Sequence, residues 1–219
     1  MRAILLSCLT ILCVNAQAPD KTPAKTPPAT TAHHKAPMLN PALYKAQAPP
    51  TFKATFTTTK GVFVVEVNRS WAPIGADRFY NLVKGGYYDG GPFYRVMAAF
   101  MAQFGLSPNP AVSKAWDKAT IKDDPVMQSN KRGFITFAKT SAPNSRTTHL
   151  FINYVDNSRL DPDGFAPFGT VVEGMEVVDK LFNGYGGDID QTKLMDGGIA
   201  YVKKSLPNLD LIESAEIVP

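Results

Sequence analysis

Two runs of alternating character, Phe52–Thr58 and Val62–Asn68, narrow the possible folds of this chain more than any other feature. In each run every second residue is apolar or small, which fits a strand with one face turned to a core. Lys60-Gly61 lies in the short connection between them, so the pair reads as a β-hairpin. The period then changes over Ala72–Lys84. Pro73 suits the first turn of a helix, Ile74, Phe79, Leu82 and Val83 are expected to share one face, and Gly85-Gly86 end it. Further strands are expected at Phe93–Val96, Phe100–Phe104, Phe134–Ala138, Leu150–Asn153, Phe168–Val172 and Ile212–Val218. A second helix is expected over Gly174–Phe182 and a third over Asp190–Lys204, the latter weakened by Gly197-Gly198. Gly105–Arg132 reads as a long loop. The domain is therefore mainly β, with two or three helices.

The ends of the chain differ in composition from this domain. Residues 1–18 read as a signal peptide: Arg2 provides a basic start, Ala3–Val14 is mostly apolar, and Ala16-Gln17-Ala18 offers a small-x-small cleavage site. The apolar run is shorter than the roughly 20 residues that a membrane-spanning helix needs. The expected destination is the periplasm or the extracellular space. Cys8 and Cys13, the two cysteines, both fall in this segment, so the mature chain is expected to have neither a disulfide nor a thiolate metal site. Residues 19–50 read as a Pro/Ala/Thr/Lys-rich disordered linker, since eight of the 18 prolines fall between Gln17 and Pro50. Leu39-Asn40-Pro41-Ala42-Leu43-Tyr44 is its one apolar patch and a candidate for docking on the domain, and the adjacent His33-His34 pair is weak as a metal site. Residues 51–219 form the expected folded domain, long enough to bury a core without disulfides.

Three segments carry the chemistry. The first, Phe93-Tyr94-Arg95-Val96-Met97-Ala98-Ala99-Phe100-Met101-Ala102-Gln103, sets one arginine among aromatic and apolar residues. A guanidinium is permanently charged and presents a rigid fork of donors, so a semi-apolar setting gives it a directed task. On these residues alone, a strand whose Arg95 reaches solvent over a core of Phe100 and Met101 is an equal alternative. The second segment runs Gly133-Phe134-Ile135-Thr136-Phe137-Ala138-Lys139-Thr140, then a turn-rich stretch through Asn144, then His149-Leu150-Phe151-Ile152-Asn153. It reads as strand, polar loop, strand. The third is Leu160-Asp161-Pro162-Asp163-Gly164-Phe165-Ala166-Pro167-Phe168-Gly169-Thr170.

In this order the three segments resemble the cyclophilin-type peptidyl-prolyl isomerases, over roughly Thr51 to the C-terminus. The resemblance implies a closed eight-stranded antiparallel β-barrel capped by helices, with a peptide groove on its outer face. It also implies a catalytic role for Arg95, a proline pocket of Phe100, Met101, Phe151 and Leu160, and a glutamine, Gln103, beside the arginine. Ala138, Lys139 and Thr140 match the segment whose backbone holds substrate in extended form, and His149 and Phe165 complete the groove. The chain departs from the family pattern in four places. His149 stands where many members have glutamine, Lys139-Thr140 where Asn-Ala is common, Arg159 where some have tryptophan, and Phe165 where they have histidine. The missing tryptophan implies weak cyclosporin binding.

These residue types suit rotation about an X-Pro amide, which needs no nucleophile, cofactor or metal. Motifs for other chemistries are missing: the sequence has no His-Glu-x-x-His, no phosphate-binding Gly-x-x-x-x-Gly-Lys loop and no Gly-x-Ser-x-Gly elbow. The net charge of +4 is spread along the chain without a basic stripe, which argues against nucleic-acid binding. The expected partners are proline-containing peptides and unfolded exported proteins, met by a monomer with no transmembrane span. The alternative is a proline-peptide binding module or chaperone that uses the same groove with little turnover.

Overall fold

The computed structural model describes residues 36–218. The expected signal peptide, both cysteines, His33-His34 and the first part of the expected linker lie outside the described residues.

The expected hairpin forms. β1 (Thr51–Thr58) pairs antiparallel with β2 (Gly61–Asn68), from Thr51 opposite Asn68 to Thr58 opposite Gly61. Phe52, Ala54 and Phe56 of β1 face inward with Phe63, Val65 and Val67 of β2. Phe56 stacks on Phe63 with ring centroids 4.9 Å apart. Six shorter strands complete one sheet: β3 (Arg95–Met97), β4 (Met101–Phe104), β5 (Phe134–Phe137), β6 (Leu150–Asn153), β7 (Pro167–Glu173) and β8 (Ile212–Val218). Their order is β3-β4-β6-β5-β7-β2-β1-β8, and every pairing is antiparallel.

The sheet curls around the aromatic core, and its edge strands are β3 and β8. Among the described residues they share no ladder. The chain just before each is stitched instead: Phe93 N donates to Asp210 O at 2.9 Å, Gly90 N to Ile212 O at 2.6 Å and Ile212 N to Gly91 O at 2.8 Å.

Among the described residues four α-helices accompany the sheet rather than two or three: α1 (Pro73–Gly85), α2 (Pro110–Asp117), α3 (Met175–Val178) and α4 (Gln191–Ser205). α1 buries Ala76, Phe79, Leu82 and Val83. Ile74 does not join them and is 37% exposed. Five positions separate it from Phe79, which at 3.6 residues per turn is about 140° around the helix. The first turn of α1 has no side-chain cap from Ala72. Asp124 supplies one from elsewhere in the chain, accepting from Ile74 N at 3.0 Å and Gly75 N at 2.8 Å. α2 lies within the expected loop Gly105–Arg132. Asn109 caps it, accepting from Ala111 N at 3.0 Å, and Pro110 opens it. Gly198, with non-helical backbone angles, breaks α4 into two helical pieces joined across a kink. Gly198 takes φ 52°, and a side chain there would sit 2.4 Å from Pro108 O, so only glycine fits the bend.

The expected linker also needs correction at its C-terminal end. Residues 36–50 lie against α1 and α2, with Met38 and Ala48 buried in the main core. Trp116 Nε1 donates to Met38 O at 2.8 Å, Asn81 exchanges hydrogen bonds with Ala46 N and O, and Asp77 accepts from Ala48 N at 2.8 Å. Proline-rich composition disfavours regular pairing, but these docking bonds need only single backbone groups.

Candidate functional site

The outer face of the sheet carries a row of side chains set by register alone. Arg95 of β3 lies opposite Gln103 of β4, Gln103 opposite Phe151 of β6, and Phe151 opposite Thr136 of β5. Residues in register point to the same face, so four strands present these side chains together. Met101 is two residues from Gln103 on β4 and shares that face. The intervening residues Ala102, Phe104, Leu150 and Ile152 are buried in the core.

Arg95, Gln103, Phe151 and Met101 form the floor of a cavity of about 480 Å³, while Thr136 is buried and does not line it. All eleven residues singled out from the sequence line it: Arg95, Phe100, Met101, Gln103, Ala138, Lys139, Thr140, His149, Phe151, Leu160 and Phe165. Each reaches it by a different route. Phe100 sits in the tight turn between β3 and β4, where its N donates to Met97 O at 2.8 Å. Leu160 ends the 3-10 turn Ser158–Leu160, and Phe165 meets Phe151 edge-on at 5.9 Å. Ala138 N donates to His149 O at 2.9 Å as the last rung beyond β5, after which Lys139 and Thr140 leave the sheet along the rim.

A buried polar network supports the apolar end. Asn130, Thr136, Asn153 and Asn157 are fully buried. Asn130 Oδ1 accepts from Thr136 Oγ1 at 2.8 Å, and Asn130 Nδ2 donates to Phe165 O at 2.8 Å. Asn157 Nδ2 donates to Phe100 O at 2.9 Å and to Asn153 Oδ1 at 2.8 Å. Satisfied networks of this kind hold the groups they touch in one place. Phe100 and Phe165 are thereby fixed through their backbones.

Charge is arranged around this pocket. Arg95 NH1 donates to Gln103 Oε1 at 3.2 Å, and its guanidinium carbon lies 5.8 Å from the Phe100 ring centroid. Arg159 covers the same ring at 4.8 Å, and its NH1 donates to Asn157 Oδ1 at 2.7 Å. Lys139 Nζ lies 5.5 Å from the Phe165 ring. His149 lines the cavity and is also bonded, with Nδ1 2.5 Å from Tyr94 Oη. Burial pushes its imidazole down to about 4, so the ring is neutral at ordinary pH. Burial also raises the Tyr94 phenol, which keeps its proton.

Four further residues line the cavity: Asp117, Ser145, Thr147 and Gln191. Asp117 ends α2 and Gln191 opens α4. The Asn109-Pro110 pair signals the helix that carries Asp117, whereas no local signal brings Gln191 to the groove. Among the described residues no three His, Cys, Asp or Glu side chains are placed to hold a metal ion, and no helix is long and apolar enough to cross a membrane.

Comparison with known proteins follows the same lines. The sequence pattern described as cyclophilin type peptidyl-prolyl cis-trans isomerase/CLD matches residues 53–200. A peptidyl-prolyl cis-trans isomerase of Acinetobacter baylyi is 37% identical over 151 residues, covering 67% of this chain and 80% of the relative. Peptidyl-prolyl cis-trans isomerase A of Dickeya dadantii is 36% identical over 142 residues, covering 60% and 75%. Among solved structures, a cyclophilin type peptidyl-prolyl cis-trans isomerase of Cryptosporidium parvum superposes with a TM-score of 0.58 at 18% identity, covering 77% of this chain and 98% of that one. The same protein crystallised in the presence of the dipeptide Ala-Pro gives a TM-score of 0.56 at 19% identity, covering 76% and 99%. With the pattern matched over most of the chain, and eight antiparallel strands carrying the groove on their outer face, this protein belongs to the cyclophilin-type peptidyl-prolyl cis-trans isomerase family.

Proposed function

We propose that the cavity over β3, β4 and β6 is where this isomerase rotates X-Pro peptide bonds, with Arg95 as the group that acts on the reacting amide. The observation that carries this reading is the placing of Arg95. It stands in register with Gln103 on the cavity floor, beside an apolar pocket of a size to take a pyrrolidine ring.

The barrier to be lowered is about 18–20 kcal/mol and comes from resonance in the C–N bond. In the twisted transition state the prolyl nitrogen becomes pyramidal and regains its lone pair. A guanidinium beside that nitrogen then gains a hydrogen bond that the planar ground state does not offer. Phe100, Met101, Phe151 and Leu160 hold the ring still while the acyl side turns. Phe165 closes the pocket, and the backbone at Ala138, Lys139 and Thr140 aligns the preceding residues as an added strand. No proton is transferred and no bond is broken, so the neutral His149 has no general-base role.

The apolar run Ala3–Val14 and the small-x-small site Ala16-Gln17-Ala18 support export, to the periplasm or the extracellular space. The clients are then exported chains whose folding waits on proline isomers.

Exchange of a short Ala-Pro peptide, followed by NMR with the full chain and with Arg95→Ala, tests the reading. Acceleration that falls at least about tenfold in a folded variant supports it. Peptide binding by a folded wild type that gives no acceleration would replace it with a proline-recognition module.

A further inference from the structure

Gln103 lies between Arg95 and a phenol that does not reach the cavity. Its Oε1 accepts from Arg95 NH1 at 3.2 Å, and its Nε2 donates to Tyr94 Oη at 3.1 Å. Tyr94 is fully buried, packed with Leu106 and Leu194 in the smaller of two apolar clusters. A side-chain amide has nearly the same shape in both orientations but opposite chemistry at its two ends. A guanidinium can only donate. Gln103 therefore serves Arg95 in one orientation and opposes it in the other, where its NH2 would face the cation.

The partner on the far side decides between them. A phenol oxygen can accept from Nε2 or donate to Oε1, and it settles on accepting when its own hydrogen is engaged elsewhere. His149 Nδ1 lies 2.5 Å from Tyr94 Oη, and the other acceptor within reach, Phe104 O, is 3.4 Å away. Burial keeps the imidazole neutral, and in the tautomer with its hydrogen on Nε2 the Nδ1 lone pair faces Tyr94 Oη and accepts from it. Asp117, at the end of α2, opposes that shift. The other polar groups on this stretch meet its backbone or Thr148: Arg78 NH1 bonds Thr147 O, and Tyr87 and Tyr88 bond Thr148.

We propose that Tyr94 and His149 are positioning residues for isomerisation: the chain of donors Arg95 to Gln103 to Tyr94 to His149 fixes the amide of Gln103 with its oxygen toward Arg95. The proposal rests on the isomerase reading above and gives each member one role. Arg95 meets substrate, Gln103 holds Arg95, and the two others hold Gln103 the right way round.

The test is a double-mutant cycle in the full chain, with kcat and KM measured on an Ala-Pro peptide. Tyr94→Phe removes only the hydroxyl and is expected to lower kcat about three- to tenfold, with KM within about twofold. In a Gln103→Ala background the same substitution is expected to cost nothing further, since Tyr94 acts through Gln103. Equal losses in both backgrounds, or wild-type kcat in Tyr94→Phe, would overturn the proposal. His149→Phe interrupts the chain from its far end and is expected to resemble Tyr94→Phe. His149→Gln, whose amide oxygen can accept the phenol proton, is expected to recover most of that loss. Identical losses in the two His149 variants would remove His149 from the chain. Circular dichroism and thermal melting separate these effects from unfolding. A wild type that does not accelerate exchange would instead sink the isomerase reading itself.

Discussion

Arg146 and Asp124 form a buried ion pair: NH2 lies 2.9 Å from Oδ2, and each side chain is 1% exposed. The pair joins two stretches of chain to a helix. Asp124 caps α1, while Arg146 also bonds Lys122 O and lies 5.8 Å from the Phe137 ring. Removing one partner leaves the other charged in a site without water. Arg146→Met is expected to lower unfolding free energy by about 3–5 kcal/mol in urea titrations. A loss below about 1 kcal/mol would mean that the two backbone donors at α1 satisfy Asp124 alone.

The docked arm makes a separate prediction. Met38→Ala empties a core position beside Trp116 and is expected to destabilise the domain by about 2–4 kcal/mol. Turnover at a temperature where the variant stays folded is expected to be unaffected, because Met38 is outside the groove. A chain started at Thr51 is expected to melt lower still, which differential scanning calorimetry reads directly.

How much of this was legible in the sequence depended on the range of the interactions. β1, β2 and α1 follow from local periodicity, because a strand face or a helix face is written in consecutive residues. α2 went unread although Asn109-Pro110 marks its start, since two turns leave too few apolar repeats to stand out from a loop. The docking of residues 36–50 had one local sign, the apolar patch Leu39–Tyr44, but Leu39 and Leu43 stay exposed and the bonds that fix the arm depend on Trp116 and Asn81 reaching single backbone groups far along the chain. The groove residues came from resemblance, and the register explains why they meet. Tyr94 stood in plain view beside Arg95, yet nothing in its neighbours indicates His149, which is 55 positions away.

Replacing Arg95 by lysine separates charge from geometry. Lysine keeps the positive charge but lacks the planar fork that serves Gln103 Oε1 and substrate at the same time. Arg95→Lys is expected to lower kcat at least about tenfold with a smaller change in KM. Near-wild-type kcat would show that charge alone suffices.

His149 also links stability to pH. Its folded pKa of about 4 lies below the ordinary 6.5. Below pH 6.5 the unfolded chain takes up a proton that the folded chain refuses, so this contribution is complete above that pH and is lost as pH falls toward 4. The loss amounts to at most about 3 kcal/mol. Urea titrations of wild type and His149→Gln at pH 7, 5.5 and 4.5 are expected to converge or cross as pH falls. A constant gap between the two would contradict the shift.

The alternation of β4 and β6 has a consequence for how such a protein can change over time. Met101, Gln103 and Phe151 face the groove, and the residues between and beside them, Ala102, Phe104, Leu150 and Ile152, face the packed interior. Selection on peptide preference and selection on durability thus act on interleaved but distinct sets of positions. A lineage can redraw the groove while the inner layer that keeps the sheet together stays as it was.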